Sequence, residues 1–220
     1  MADEEYNFTQ IEQKWQKRWE RDGLFRNKHD DRPPFYVLTM YPYPSGVLHM
    51  GHVLAYPIGD VMVRYKILRG FNVLSPMGWD SFGLPAENAA IRTGIAPHEF
   101  TEKNIARMRE QMKRAGWGYD WSREFATSHV DYYKWTQWFF LKFYEKDMVV
   151  KKTAPVNWCD SCQTVLANEQ VKEGECERCG SRVEQKDMNQ WFYRLSKYAE
   201  RLLQGHEKLR GHWPDAVLAM

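Results

Sequence analysis

Residues 35–60 read FYVLTMYPYPSGVLHMGHVLAYPIGD, and the order strand, loop, helix within them decides the fold. Pro33 and Pro34 stop whatever precedes, and Phe35 to Met40 form an apolar run of a length suited to a buried strand, bounded on both sides by turn formers. Pro42, Pro44, Ser45 and Gly46 make the loop. Leu54, Ile58, Val61, Met62 and Tyr65 then recur at spacings that fit a helix face. His49 and His52 therefore sit where a strand hands over to a helix N-terminus.

That position binds anions, because the first backbone N–H groups of a helix are unpaired and its dipole is positive there. Two imidazoles add donors for phosphate oxygens, and Gly51 between them leaves room for a flat ring such as a nucleobase against the backbone. An isolated H-x-G-H is equally consistent with cap or surface histidines. The apolar strand before it and the Pro/Gly loop favour nucleotide binding.

Gly70 ends the helix, and Phe71 to Leu74 supply a second short strand, which makes a crossover unit of a parallel sheet. Ligands of such sheets lie outside the carboxyl ends of the strands, where both His49 and Asp80 fall. Asp80 suits a substrate ammonium through a charge-assisted hydrogen bond, or equally a helix N-cap for a segment starting near Ser81. Pro57 falls inside the predicted helix and should bend or delay it.

Outward from this core, Thr9 and Glu12 have capping-box spacing, and Ile11, Trp15 and Trp19 repeat every fourth residue before Gly23, a helix stop. This predicts an amphipathic helix whose tryptophans make core contacts. Helices are also expected from Pro97 to Gly116, with Ile105, Met108 and Met112 on one side, and from about Asp131 to Lys146, with Trp135, Phe139 and Phe143 on one side; both would cover the sheet. Met148 to Lys151 is expected to return to the sheet as a third strand. Gln190 to Met220 opens with strand-like WFYRL and continues as a helix toward Trp213 and Pro214.

The 220 residues, 43% of them hydrophobic, suffice for one large domain with a small satellite, and a net charge of +2 is too mild to announce a nucleic-acid binder. No apolar segment reaches membrane-spanning length, and the opening MADEEYNF is acidic without a hydrophobic signal region, so a cytoplasmic protein is expected. Cys159, Cys162, Cys176 and Cys179 form C-x2-C-x13-C-x2-C. Two close thiolate pairs suit tetrahedral Zn²⁺ on tight knuckles, with Gly180 helping the second to turn. Having no open ligand position, the site would be structural, holding a segment too small for its own core; a redox C-x-x-C is the alternative.

The run MYPYPSGVLHMGH resembles the signature of class I aminoacyl-tRNA synthetases, and GWDSFGLPAENAAI, Gly78 to Ile91, resembles the leucyl version of the segment that follows. NWCDSCQTVLANEQV and DMNQWFYRLSKYAERLL are similar to the same family, leucyl-tRNA synthetases. The resemblance implies an α/β fold: a helix packed on the catalytic domain (1–34), the first half of a Rossmann-like parallel sheet flanked by helices (35–152), a zinc-ribbon insertion (153–189) and the start of a connection to an editing domain (190–220). It implies ATP-dependent activation of leucine to leucyl-adenylate and transfer to the 3′ end of leucine tRNA, with Mg²⁺ accompanying the triphosphate. By the same resemblance His49 and His52 are catalytic and, with Gly51, hold ATP; Asp80 and the backbone at Tyr41 hold the amino group, while Met40 and Tyr43 wall the leucine side chain. The family more often carries polar residues where Leu54 and Ala55 stand, and Phe where Tyr41 stands. No KMSKS loop, second half of the fold or anticodon-side domain follows in this sequence, so the isolated chain is expected to be weakly active at best; a separate chain carrying the missing C-terminal part is one partner this leaves open. Two competing readings are another H-x-G-H nucleotidylyl transferase, which predicts no zinc, and a non-catalytic zinc-ribbon module binding RNA or protein beside a vestigial nucleotide site.

Overall fold

The computed structural model describes residues 6–28 and 30–219; the acidic opening residues 1–5 and the final Met220 lie outside them. The chain divides into two compact units, residues 1–134 and 135–220. No helix among the described residues is long and apolar enough to cross a membrane.

The first unit begins with α1 (Phe8–Asp22). Asn7 caps it by accepting from the Gln10 N–H at 3.1 Å, two residues ahead of the expected Thr9, because Asn is as good a cap as Thr. Gly23 ends the helix in the left-handed conformation (φ 61°), as its sequence position predicts. Of the two tryptophans expected in the core only Trp19 packs, edge-on against Phe25 and under the Arg64 guanidinium. Trp15 remains 40% exposed.

Strand β1 (Pro34–Tyr36) is shorter than the apolar run suggested. It is followed by α2 (Met50–Leu68), β2 (Asn72–Leu74) and β3 (Pro76–Trp79). Strands β2 and β3 form an almost continuous run that changes partner at Ser75. Residues 72–74 pair in parallel with β1, and residues 76–79 pair in parallel with β4 (Asp120–Ala126). Two bonds mark the exchange: Val37 N–H to Leu74 O at 2.9 Å, and Asp120 N–H to Ser75 O at 2.8 Å. The third parallel strand is thus β4, and not residues 148–151.

Between β3 and β4 lie α3 (Leu84–Thr93) and α4 (Pro97–Ala115). Ile105, Met108 and Met112 of α4 bury against Met77, Trp79, Tyr56 and Trp117, and that cluster is the unit's main core. Pro57 does not delay α2, which starts at Met50 and continues through it. The buried side of α2 is that of Tyr56 and Val63, whereas Leu54, Ile58 and Val61 are exposed. Apolar residues occur all round this helix, so their periodicity did not identify the inward face.

Helix α5 (Val130–Glu145) spans the division between the units, and no residue on it is fully buried. The second unit contains β5 (Val149–Cys159), β6 (Thr164–Leu166), β7 (Val171–Lys172), β8 (Glu175–Cys176) and β9 (Glu184–Tyr193), then α6 (Ala199–His206) and α7 (Asp215–Leu218). Met148–Lys151 does not return to the parallel sheet. It leads into β5, which pairs antiparallel with β9 along its length, Val149 facing Tyr193 and Trp158 facing Glu184, and with β6 at its far end.

Candidate functional site

His49 is the N-cap of α2, and the two histidines cap each other's turn. Nδ1 of His49 accepts from the Gly51 N–H at 3.1 Å, and Nδ1 of His52 accepts from the His49 N–H at 3.1 Å. A nitrogen that accepts cannot carry the proton, so each neutral ring bears its hydrogen on Nε2, the atom left free to donate. The rings lie 3.9 Å apart. Burial, and then the neighbouring His49, lower the pKa of His52 below the ordinary histidine value of 6.5, which favours the neutral donor form. Gly51 is required here for a local reason: a Cβ would meet Cε1 of His49 at 2.9 Å. The ring that lies over this glycine is therefore that of His49.

The loop carrying the histidines is tied down along its length. Pro42 O accepts from the Asp80 N–H at 3.1 Å, Pro44 O from the Asn104 side-chain amide at 3.0 Å, and Gln111 Oε1 accepts from the Leu48 N–H at 3.1 Å. Asn104 and Gln111 stand seven apart, on the same side of α4 beside its apolar stripe. Sequence reasoning passed over both, and polar residues at that spacing next to buried ones are the signal that finds them. Gly59 lets α2 approach the loop's first residues, since a Cβ there would meet Oγ1 of Thr39 at 2.9 Å.

Asp80 follows β3, half-buried, beside Tyr43 in a small depression that also includes Ser81, Phe82 and Thr101. It does not cap α3, which begins at Leu84 after Gly83. Ser81 holds this turn: its N–H donates to Thr127 Oγ1 at 2.8 Å and its hydroxyl shares a 2.7 Å bond with Ser128. Tyr41 lies below, edge-on to Phe125 at 5.0 Å, and burial is the first cause that raises its pKa to about 12. Gly78 sits beneath both rings, where a Cβ would fall 2.5 Å from Phe125 and 3.0 Å from Tyr41. Met40 is 81% exposed and does not line the depression. The structure thus groups Asp80 with Tyr43, and His49 with His52, on loops that follow parallel strands at the same edge; Gly78 and Phe125 are supporting residues the sequence did not single out.

In the second unit the sulfurs of Cys159, Cys162, Cys176 and Cys179 all lie within 4.8 Å of one another. A tetrahedral ion with bonds of about 2.3 Å to sulfur would set its ligands about 3.8 Å apart, so the cluster fits one metal. Both knuckles turn alike: Gln163 (φ 49°) follows Cys162, and Gly180 (φ 70°) follows Cys179. The Cys162 N–H donates to Cys159 Sγ at 3.4 Å. The Ser181 hydroxyl and N–H lower the pKa of Cys179 to about 6, while the hydrogen bond with Cys179, and then burial, push Cys162 up to about 12.

The parallel strands, the paired histidines at the head of α2 and the acid on a loop leaving the same edge are one arrangement, and its family follows from comparison with known proteins. A family model described as class I tRNA synthetases (I, L, M and V) matches residues 14–216, and the chain belongs to that family. It is 58% identical over 216 residues to a leucine–tRNA ligase of Oleidesulfovibrio alaskensis, covering 98% of this chain and 26% of that protein. To the leucine–tRNA ligase of Symbiobacterium thermophilum it is 55% identical over 221 residues, covering 100% of this chain and 26% of the relative. The chain spans about a quarter of the length of these relatives. Among solved structures it is similar to the Agrobacterium radiobacter K84 agnB2 LeuRS–tRNA–LeuAMS complex, with a TM-score of 0.89, 42% identity, and coverage of 98% of this chain and 27% of that one. Mycobacterium tuberculosis methionyl-tRNA synthetase in complex with methionyl-adenylate matches with a TM-score of 0.66 at 20% identity, over 80% of this chain and 35% of that one; this likeness concerns the fold alone.

Proposed function

We propose that this chain forms the amino-acid- and ATP-binding part of a leucine–tRNA ligase, which joins leucine to ATP as leucyl-adenylate with release of pyrophosphate and passes it to the 3′ end of leucine tRNA. In this reading residues 35–152 are the first half of a Rossmann-like catalytic domain, with 1–34 packed on it. Residues 153–189 are a zinc ribbon, and 190–220 lead toward an editing domain. The rest of the enzyme is supplied by polypeptide matching the remaining length of the relatives, in the same chain or another.

The leucine carboxylate attacks the α-phosphorus, so the protein must align two reactants and stabilise charge on the phosphoryl oxygens. His49 and His52 present Nε2–H groups at the positive end of α2 for those oxygens and act as donors. Gly51 allows the His49 ring to fold back into that pose. Mg²⁺ accompanies the triphosphate as part of the substrate. Asp80 takes the leucine ammonium, with the Tyr41 backbone as a second hold, and Tyr43 walls the side chain; the exposed Met40 has no part in this wall. Four thiolates around Zn²⁺ hold the ribbon and take no part in the chemistry.

The single observation that carries this reading is the mutual capping of His49 and His52, which fixes both rings as Nε2–H donors. It is tested by leucine-dependent pyrophosphate exchange, using the chain together with the polypeptide that completes the enzyme. His52→Ala should lower the exchange rate about 10²-fold or more, in line with loss of a transition-state hydrogen-bond donor. Undiminished exchange would refute the catalytic role.

A further inference from the structure

A second cavity, of about 810 Å³, lies entirely within the first unit between α1 and residues 116–122. Its size is that of pockets which take small molecules. Trp19, Phe25, Trp117, Tyr119 and Trp121 supply flat apolar walls. The half-buried Trp121 stands edge-on to Tyr119 at 5.8 Å, with the Lys113 ammonium over one face of its ring, 5.7 Å from the centroid.

Charge around the opening is unbalanced. Glu20 is held by Lys113 at 3.1 Å and Asp22 by Arg21 at 2.8 Å. Asp120 is buried and spends its oxygens on the Asn27 N–H and on the N–H and hydroxyl of Ser122. Among the described residues, Lys17, Arg26 and Arg114 line the same crevice without an ion pair, and Lys28, whose charge also acts on Asp30, lies with them against the one remaining carboxylate of Glu110. The carbonyls at the end of α4, which would repel an anion, are partly occupied: Gln16 donates to Arg114 O at 2.9 Å and Arg64 to Gly116 O at 2.6 Å. Indoles that already carry a cation on one face, Trp19 under Arg64 and Trp121 under Lys113, beside an excess of positive charge suit a ligand with a planar ring and a phosphate.

We propose that this crevice binds a free purine nucleotide, its base against Trp121 and its phosphate among Lys17, Arg26, Lys28 and Arg114. The site is separate from that of the histidines. Tyr56 packs against both His52 and Trp117, each at 5.4 Å, so the Tyr56 ring stands between His52 and the Trp117 wall of the crevice.

Equilibrium dialysis of labelled AMP against the chain carrying both His49→Ala and His52→Ala tests this. One saturable AMP per chain should remain, weakened by added salt. Trp121→Ala should reduce its affinity about tenfold or more, and the surface pair Arg26→Glu and Lys28→Glu should do the same without touching the packed core. Trp121→Phe should restore binding in large part. Absence of saturable AMP binding, or binding indifferent to all of these changes, overturns the proposal. A single-stranded oligonucleotide that binds where AMP does not also overturns it, in favour of an RNA surface. Pyrophosphate exchange reads the histidine site, so failure of one reading is distinguishable from failure of the other.

Discussion

Met77 and Met112 in the first unit and Cys159 in the second are equally inaccessible to solvent, at 0% exposure, yet their surroundings differ. The methionines lie in a cluster of aromatic and aliphatic side chains drawn from α2, β3, α4 and the segment before β4. Around Cys159 the buried neighbours are Leu166 and Cys176, with Cys162, Val171 and Val183 partly covered. One region is held by apolar area removed from water. The other has less such area and brings four sulfurs together within 4.8 Å of one another instead. The difference teaches that the first unit loses stability by degrees as core side chains are trimmed, whereas the order of the knuckles depends on one set of four sulfurs.

The comparison breaks most sharply on metal removal. Freshly purified protein should contain one zinc per chain, and chelation should unfold the knuckles while the near-ultraviolet circular dichroism of Trp79 and Trp117 persists. Well under one equivalent of metal, or loss of both signals together, would defeat it. Next comes the apolar core: Met77→Ala should cost about 2–5 kcal/mol in urea unfolding, with zinc content unchanged.

Gly78→Ala sharpens the contrast further. Its Cβ has no room beside Phe125 and Tyr41, so about 1–3 kcal/mol of overpacking is expected, with weaker leucine-dependent exchange in the completed enzyme. A normal Michaelis constant for leucine would show that the Tyr41 backbone is not part of the hold. The smallest effect concerns His52. Its folded value lies below the ordinary 6.5, so the unfolded chain takes up the proton first as pH falls. Stability contributed by the neutral ring is whole above pH 6.5, declines through the interval beneath, and levels off once the folded ring protonates. Titration of the ring by NMR should give a midpoint below the ordinary one; a value at or above it would contradict the buried, accepting Nδ1.

Much of this was legible in the sequence because the chemistry is local. His49 and His52 at a helix start, Gly23 and Gly180 as turn residues, and the two cysteine pairs each depend on neighbours a few positions away. What escaped depends on distant partners. Strand β4 carries Asp120, Arg123 and Glu124, and its strand character comes from pairing with residues 76–79, which no short window contains. The Glu124 carboxylate is occupied there by the Trp79 indole at 2.6 Å and by Arg109 at 2.7 Å, so a charged residue serves a buried element. The inward face of α2 escaped for another reason: Tyr56 and Val63 are no more apolar than the Leu54, Ile58 and Val61 that remain exposed.

The change of partner at Ser75 also fixes an order of assembly during synthesis. Residues 72–74 can pair with β1 soon after leaving the ribosome, but residues 76–79 must wait until both α3 and α4 have been made and residues 120–126 emerge. Each cysteine pair, with two residues between its members, can chelate as soon as it appears. Non-local pairing is slow and leaves apolar strands open to wrong contacts meanwhile. A nascent chain halted before residue 120 therefore carries residues 76–79 without their ladder partner, and that interval is when a chaperone has most to protect.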